Sequence, residues 1–259
     1  PTTQTYELTT ILESNKYRLG GSADTVSTDG GSTSYLYEQG TNLTLHPITD
    51  AGLVGYWTFD EGTGTQALDS SGYNNTGTWQ GTLGSQWTTG KIGGAGQFNG
   101  SDSVVQISNG YSTLLNLQST NPPSLTISGW FIRSDWGGGS LSGISLWSNN
   151  VRLMFRPDNQ TIAFQLKAGS TIVSYFSAQL STWYCVVGVY DSTTSSIKLY
   201  VNGQLIGNTS VADKDLSAIG PWFLIGNSQH YYKGIIDDVR LYSRALSPAE
   251  VLALYNSTK

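Results

Sequence analysis

The chain has 259 residues and a formal net charge of −5, with 13 Lys and Arg against 18 Asp and Glu. This balance, together with the lack of any basic run, argues against a nucleic-acid partner. Charged residues make up 12% of the chain, about half of the roughly 25% that is usual, so hydroxyl and amide groups must solvate the surface. No apolar run approaches the ~18 residues of a membrane span, so we expect no membrane-spanning segment in this chain.

The single cysteine limits both disulfide and thiol chemistry. Cys185 has no partner for an intrachain disulfide, and the aromatic and apolar residues 183–187 predict a buried strand around it. A catalytic thiol would need an activating base beside it, and the chain has only His46 and His230. We therefore expect a structural cysteine.

The first fifty residues differ from the rest. Apolar and polar residues alternate from Tyr6 to Leu12, which predicts a half-buried strand, and residues 24–34 are rich in Gly, Ser, Thr and Asp, as loops are. This is too little apolar sequence for an independent core. We divide the chain into an N-terminal strand and loop segment, residues 1–50, and a main domain, residues 51–259.

Short strand patterns separated by turns fill the main domain. An apolar run over residues 53–59 begins the series, and residues 124–131, 183–190 and 234–242 continue it. The dipeptide Asn202-Gly203, between apolar segments, is a strong hairpin signal. Strands joined by short turns, with almost no helix, favour an antiparallel sandwich over any α/β fold.

The last fifteen or so residues predict a helix after the final strand. Ser247 has the properties of an N-cap, Pro248 suits the first turn, and Glu250 is an acid at the third position. One short C-terminal helix is expected.

Two distant segments together resemble a known family. Residues 55–62, Gly-Tyr-Trp-Thr-Phe-Asp-Glu-Gly, and residues 237–247 are similar to the two closing ends of a laminin-G-like, concanavalin-A-type β-sandwich. The Asp-Ser-Ser-Gly element at residues 69–72 and the glycine-rich residues 93–100 also match the family pattern. The resemblance covers residues 52–256 and implies an all-β, antiparallel two-sheet jelly-roll sandwich with one short C-terminal helix.

Short oxygen-bearing side chains suggest a metal site. A hard cation such as Ca²⁺ needs about six to eight oxygens, which acids and turn carbonyls can supply, whereas one cysteine and two histidines disfavour zinc. The candidate ligands are Asp60, Asp69, Asn74, Asp237 and Asp238. From spacing alone the favoured alternative is that Asp60 and Asp69 cap turns while Asp237 or Asp238 faces solvent.

The family resemblance favours calcium instead. In the related β-sandwich glucanases an Asp at the start of the final strand joins backbone carbonyls around a structural Ca²⁺, and Asp237 is the matching position. Adjacent strand residues face opposite ways, so the sequence leaves open which of Asp237 and Asp238 faces the metal.

The same fold also houses glucanases, which need two carboxylates flanking the scissile bond, usually on an alternating Glu-x-Asp-x-x-Glu strand. None of the five glutamates lies in such a pattern: Glu7, Glu13, Glu38, Glu61 and Glu250. No Ser/His/Asp triad is apparent either. We expect no enzymatic activity.

Aromatic and amide residues in loops suggest a glycan-binding surface, because sugars stack on aromatic rings while amides take their hydroxyls. The candidates are Trp136, Trp147, Asn149, Asn150, His230, Tyr231 and Tyr232. The alternative for Trp147 and Tyr232 is a place in the core, where we also expect Trp130, Trp183 and Trp222.

Residues 6–17 resemble the end of the globular part of bacterial type IV pilin-like or pseudopilin proteins. The first hypothesis is an extracellular, non-enzymatic module of the bacterial surface that binds a glycan or a cell-surface protein and carries structural Ca²⁺. The second is a structural subunit or decoration of a pilin-like filament, assembling through the N-terminal segment. A glycoside hydrolase is third.

Overall fold

The computed structural model describes residues 7–10, 37–40, 51–107, 124–135, 142–146, 151–156, 160–166, 171–211, 223–227 and 231–259. The chain divides into two compact units, Pro1–Thr49 and Asp50–Lys259. In the first unit, β1 (Glu7–Thr10) and β2 (Tyr37–Gly40) form an antiparallel pair. No helix in the described ranges is long and apolar enough to cross a membrane.

The second unit contains two antiparallel sheets of eight strands. Sheet 1 has the spatial order β13 (Thr171–Ser177), β12 (Thr161–Leu166), β11 (Val151–Arg156), β10 (Ser142–Leu146), β17 (Phe223–Ile225), β8 (Val104–Ile107), β5 (Gly77–Gln80) and β4 (Gln66–Ala67). Sheet 2 has the order β16 (Gln204–Ser210), β15 (Ser196–Val201), β14 (Trp183–Asp191), β9 (Leu125–Arg133), β18 (Lys233–Tyr242), β7 (Gly94–Asn99) and β6 (Trp87–Thr89), with β3 (Leu53–Trp57) also paired to β18. The expected antiparallel β-sandwich is confirmed.

The core lies between the sheets and is filled by alternate residues of facing strands. Val186 and Tyr190 of β14 are buried in it, as are Phe155 and Phe164 of sheet 1. A Cβ placed on Gly188, between Val186 and Tyr190, would collide with the Phe164 ring. Sheet 1 therefore supplies a large ring where sheet 2 supplies no side chain, which keeps the two layers close-packed.

Local signals in the sequence are confirmed at the hairpin and the helix. Asn202 and Gly203 both have positive φ, 51° and 76°, as a type I′ turn requires, and they join β15 to β16. Helix α1 (Pro248–Thr258) begins with a capping box, in which the Ser247 hydroxyl accepts from the Glu250 N–H and the Glu250 carboxylate accepts from the Ser247 N–H. This is the one short C-terminal helix that was expected.

The tryptophans expected in the core have different environments. Trp130 is buried beneath α1, where its indole N–H donates to the Thr258 hydroxyl at 3.0 Å. Trp183 is only half-buried, because it is the first residue of β14, and Trp222 lies outside the described residues. Cys185 is buried, and burial raises the pKa of its thiol to about 12, which agrees with a structural cysteine.

Candidate functional site

Strand β18 changes partners midway, and its two aspartates lie at that point. Residues Lys233–Ile236 pair with β7, whereas Val239–Tyr242 pair with β3. The register with β9 shifts between Asp237 and Arg240, and Asp238 has a positive φ of 54°. This bulge breaks the strand alternation, so both Asp237 and Asp238 are buried. Neither aspartate faces solvent, contrary to one sequence-based alternative.

Asp237 contacts the loop that precedes β7. One carboxylate oxygen, Oδ2, accepts from the backbone N–H groups of Lys91 at 2.8 Å and Ile92 at 2.9 Å. The other oxygen, Oδ1, is buried and has no hydrogen-bond partner in the described structure. Burial, with a smaller contribution from the charge of Asp238, raises the pKa of Asp237 to about 7.

The same loop, residues 90–94 (the glycine loop), also contacts Asp60, where Oδ1 accepts from the Gly94 N–H at 2.6 Å. A Cβ on Gly94 would lie 2.7 Å from the Phe59 carbonyl oxygen, and a Cβ on Gly90 would collide with the Asp237 carboxylate and the Gly94 carbonyl. The glycines thus let carboxylate and carbonyl oxygens approach the loop closely. These are the atom types that calcium prefers.

Asp238 has a different environment. Its carboxylate accepts from the Tyr56 hydroxyl at 2.6 Å and pairs with Arg240 at 2.7 Å, while the guanidinium lies 4.2 Å from the centre of the Tyr56 ring. Burial acts to lower the pKa of Arg240, but Asp238, Tyr56 and Tyr242 together outweigh it and the pKa is raised. Burial also raises the pKa of Tyr56. This arrangement is a buried structural ion pair.

The five proposed calcium ligands are not brought together. Asp69 accepts four hydrogen bonds, from the Tyr56, Ser71 and Asn75 N–H groups and the Ser71 hydroxyl, which makes it a turn cap. Asn74 is exposed in that turn with a positive φ of 58°. Only Asp60 and Asp237 contact a common loop, and no group of three or more His, Cys, Asp or Glu in the described ranges is placed to hold a metal.

Of the proposed glycan-binding residues, five lie outside the described ranges: Trp136, Trp147, Asn149, Asn150 and His230. Tyr231 is 38% exposed and its backbone bridges to Asn227. Tyr232 has no exposed surface, and its ring packs 5.5 Å from that of Phe155. Assigning Tyr232 to the ligand surface was therefore wrong, because adjacent residues alternate in direction and Tyr232 points into the core.

A cleft of about 630 Å³ was not anticipated from the sequence. Two ion pairs line it, Lys198 with Asp191 at 3.4 Å and Arg244 with Glu250 at 2.7 Å. Its other lining residues are Ser124, Ser192, Thr193, Ser243, Ala245, Leu246, Ser247 and Pro248. No aromatic ring is among the described residues that line it, so these residues offer no stacking surface of the kind expected at a sugar site.

Every carboxylate whose side chain is described has a structural partner. Glu61 accepts from the Leu68 N–H at 2.7 Å, Glu250 caps α1, and Asp102 accepts from Thr82 and Asn99. Asp135 pairs with Lys233 at 3.1 Å, and the remaining aspartates have the contacts given above. The described residues therefore show no pair of carboxylates free to flank a glycosidic bond.

Solved structures with a similar fold include a domain of an arabinanase and binding domains of botulinum neurotoxins. Domain 4 of AbnA, a GH43 extracellular arabinanase from Geobacillus stearothermophilus in complex with arabinotriose, matches with a TM-score of 0.60 and 20% identity over 80% of this chain and 100% of that one. A botulinum neurotoxin type C structure, whose cell entry depends on two ganglioside molecules, matches with a TM-score of 0.61 and 16% identity over 80% of this chain.

The binding domain of botulinum neurotoxin DC in complex with SialylT matches with a TM-score of 0.61 and 16% identity over 81% of this chain. The chain spans about half the length of the neurotoxin chains, 51% and 52%. No curated protein sequence matches. At these identities the likeness shows the fold alone.

The fold and the matched sequence define the class: an antiparallel β-sandwich of the concanavalin A type. The Laminin_G_3 model, described as the concanavalin A-like lectin/glucanases superfamily, matches residues 99–252, which is more than half of the chain. The chain therefore belongs to this family, and that part of the resemblance is confirmed. The comparisons do not support the resemblance of residues 6–17 to pilin-like proteins.

Proposed function

We propose that the chain is an extracellular, non-enzymatic carbohydrate-binding or adhesion module of the bacterial surface, stabilised by structural calcium. One observation carries the proposal: in a domain of a lectin and glucanase superfamily, every described carboxylate accepts at least one hydrogen bond from a backbone N–H group, a hydroxyl or a cation. A hydrolase needs two carboxyl groups available to the substrate. Binding is therefore the function that these residues favour.

The solved structures with a similar fold support a binding function. They include a domain in complex with arabinotriose, a toxin that depends on gangliosides, and a toxin binding domain in complex with rat synaptotagmin II. By analogy, a glycan or a cell-surface protein is the proposed partner of this chain.

The proposed calcium would be held at the glycine loop. Asp237 Oδ1 supplies a buried oxygen without a partner, and Asp60 and the carbonyls of Phe59 and Gly94 contact the same loop. The ion would supply the positive charge that a buried carboxylate otherwise lacks. Asp60 follows β3 and Asp237 lies in β18, so these residues would fasten the first and last strands of the second unit to one loop.

A glycan array probed with the full chain tests the binding function. Tyr231→Ala should weaken binding about fivefold, or ~1 kcal/mol, because an exposed ring that stacks on a sugar is lost. Tyr73→Ala is the matched control, since Tyr73 is also exposed, at 53%, but lies in the turn capped by Asp69. A folded protein that retains no glycan and no surface protein would refute the proposal, and equal effects of the two variants would exclude Tyr231 from the site.

The chain should release no reducing ends from β-glucans or other common polysaccharides. The physical reason is the lack, among the described residues, of two facing carboxyl groups free for proton transfer and nucleophilic attack. Purified protein incubated with polysaccharide and assayed for reducing sugar provides the measurement. Sustained release that disappears when a single acid is replaced would contradict this prediction.

The filament-subunit hypothesis stays a prediction. Residues Pro1–Thr49 form their own compact unit, in which β1 and β2 pair, and self-assembly would have to use that unit. Sedimentation of the full chain, compared with residues 50–259, would detect any assembly that depends on it.

A further inference from the structure

Helix α1 packs on the face of sheet 2 that points away from the core (the outer face). Its contact with β9 is direct, since the ring of Tyr255 lies 5.9 Å from that of Trp130. Three of its 11 residues are buried: Val251, Leu254 and Thr258. A short helix depends on tertiary packing for its stability, so this small buried surface holds α1 in place.

The start of α1 is firmly fixed. The Glu250 carboxylate pairs with Arg244 at 2.7 Å and completes the capping box with Ser247. The segment just before the helix is bound to β9, because the Thr126 hydroxyl donates to the Arg244 carbonyl at 2.8 Å and accepts from the Leu246 N–H at 3.0 Å. These bonds would stay intact if the helix turned about its first turn.

The later turns of α1 are held less firmly. Among the described residues, one hydrogen bond joins residues 251–258 to sheet 2, from the Trp130 indole N–H to the Thr258 hydroxyl at 3.0 Å. The same hydroxyl donates to the Leu254 carbonyl of the helix itself at 2.7 Å. Leu252 is 47% exposed. The far end of α1 therefore rests on apolar contacts and this single hydrogen bond.

Buried hydroxyl groups lie on the face that α1 covers. Thr126, Ser128 and Trp130 alternate with the core residues of β9 and so share the outer face. Ser128 pairs with Val187, which pairs with Tyr200, so one row of this face contains all three. The hydroxyls of Ser128 and Tyr200 are buried and have no hydrogen-bond partner among the described residues. Lifting the helix would expose them to water, which favours opening.

The single cysteine lies on the same face. Cys185 is opposite Trp130 in the ladder between β9 and β14, and it is 2% exposed. A Cβ on Gly203, in the neighbouring hairpin, would lie 3.0 Å from the Leu252 side chain and 3.2 Å from that of Tyr255. The later turns of α1 therefore cover this region. Because burial raises the pKa of the Cys185 thiol to about 12, a reagent that needs the thiolate reacts only after the thiol is uncovered.

We propose that α1 is a lid, hinged at its first turn, that lifts from sheet 2 as a local unit and uncovers Trp130 and Cys185. The bond from Trp130 to Thr258 keeps the lid closed, and the buried hydroxyls of the sheet favour its opening. Opening leaves the two sheets paired, so it needs less free energy than unfolding of the sandwich. This device does not depend on the proposed binding function.

The alternative is that α1 is an integral part of the domain and that Cys185 is reached only when the whole sandwich unfolds. The two possibilities differ in how much surface opening exposes. The dependence of an opening reaction on urea scales with that surface, so it is shallow for a lid and steep for global unfolding.

The test measures the rate at which excess maleimide labels Cys185 in the full chain at low urea, followed by mass spectrometry. The slope against urea should be less than about a third of that for global unfolding, which intrinsic fluorescence reports. Thr258→Val keeps the side-chain shape but cannot hold the Trp130 N–H, so labelling should be about fivefold faster. Ser128→Ala removes an unpartnered hydroxyl, so labelling should be about threefold slower.

Thr82→Val is the matched control, because it also removes one hydroxyl hydrogen bond, to Asp102 at 2.7 Å, but lies in the loop between β5 and β6. It should change the labelling rate less than about twofold. Amide hydrogen exchange of residues 251–258 should accelerate in Thr258→Val together with the labelling.

Four results would overturn the lid. Labelling with the urea slope of global unfolding would mean that the whole domain must open. An unchanged rate in Thr258→Val, or a rate in Ser128→Ala that is not slower, would contradict the contacts assigned to closing and opening. Equal acceleration in Thr82→Val would indicate a general loss of stability. Faster labelling without faster exchange in α1 would place the opening elsewhere.

Discussion

Replacing Arg240 by methionine should lower the free energy of unfolding by about 3–5 kcal/mol, because it leaves a buried carboxylate without its counter-ion. Asp238 is 4% exposed, and its other described partner is the Tyr56 hydroxyl at 2.6 Å. The substitution also removes the cation from the Tyr56 ring, 4.2 Å away. Urea unfolding followed by intrinsic fluorescence provides the measurement.

Two further variants separate the charge from the packing. Tyr56→Phe keeps the ring and removes one hydrogen bond to a charged acceptor, so it should cost about 1.5–3 kcal/mol. The double variant Asp238→Asn with Arg240→Met removes both charges and should be more stable than Arg240→Met alone. If the double variant is less stable than the single one, the loss arises from packing and the ion-pair explanation is wrong.

Features set by neighbouring residues could be predicted from the sequence. The capping box at Ser247 and Glu250 and the hairpin at Asn202 and Gly203 depend only on a few adjacent positions, and both are confirmed. The short strand patterns and turn signals that predicted the antiparallel sandwich are also local features of the sequence, and the sandwich is confirmed. Strand direction also explains why Tyr231 is exposed while Tyr232 is in the core, although the sequence alone did not show which of the two faces in.

Features that depend on tertiary contacts could not be predicted. The bulge in β18 buries Asp237 and Asp238 together, whereas strand alternation predicts that only one faces inward. The hydrogen bonds from the Tyr56 N–H to Asp69 and from the Tyr56 hydroxyl to Asp238 join segments that are distant in the sequence, so the sequence could not show that both carboxylates share this partner. Trp130 of β9 and Tyr255 of α1 are neighbours, 5.9 Å apart, only because α1 packs on sheet 2.

The stability of the chain should depend on pH more strongly without calcium than with it. Without the ion, burial raises the pKa of Asp237 to about 7, well above the roughly 3.9 of an aspartate in an unfolded chain. Between about pH 4 and pH 7 the native state then binds more protons than the unfolded state, so stability falls as pH rises. At about 1.4 kcal/mol per pKa unit, the loss could reach about 4 kcal/mol.

With calcium in excess the fall in stability with rising pH becomes smaller, because the cation binds the ionised carboxylate and competes with its proton. A hundredfold excess over Kd should stabilise the chain by about 2.7 kcal/mol, and the difference between calcium and EDTA should grow from pH 5 to pH 8. Thermal melts across that range, in matched buffers, provide the measurement. Asp237→Asn should remove both the calcium effect and the pH-dependent loss in EDTA, since its amide carries no charge.

Asp69→Asn is the matched control, because Asp69 caps a turn through four hydrogen bonds and has no contact with the glycine loop among the bonds described. It should lower stability by a similar amount with calcium and with EDTA, because the hydrogen bonds that it weakens do not involve the ion. Melts of the wild-type chain that coincide in calcium and EDTA at pH 8, together with no bound calcium by elemental analysis, would exclude the metal site. Retention of the calcium effect in Asp237→Asn would instead place the ion at other residues.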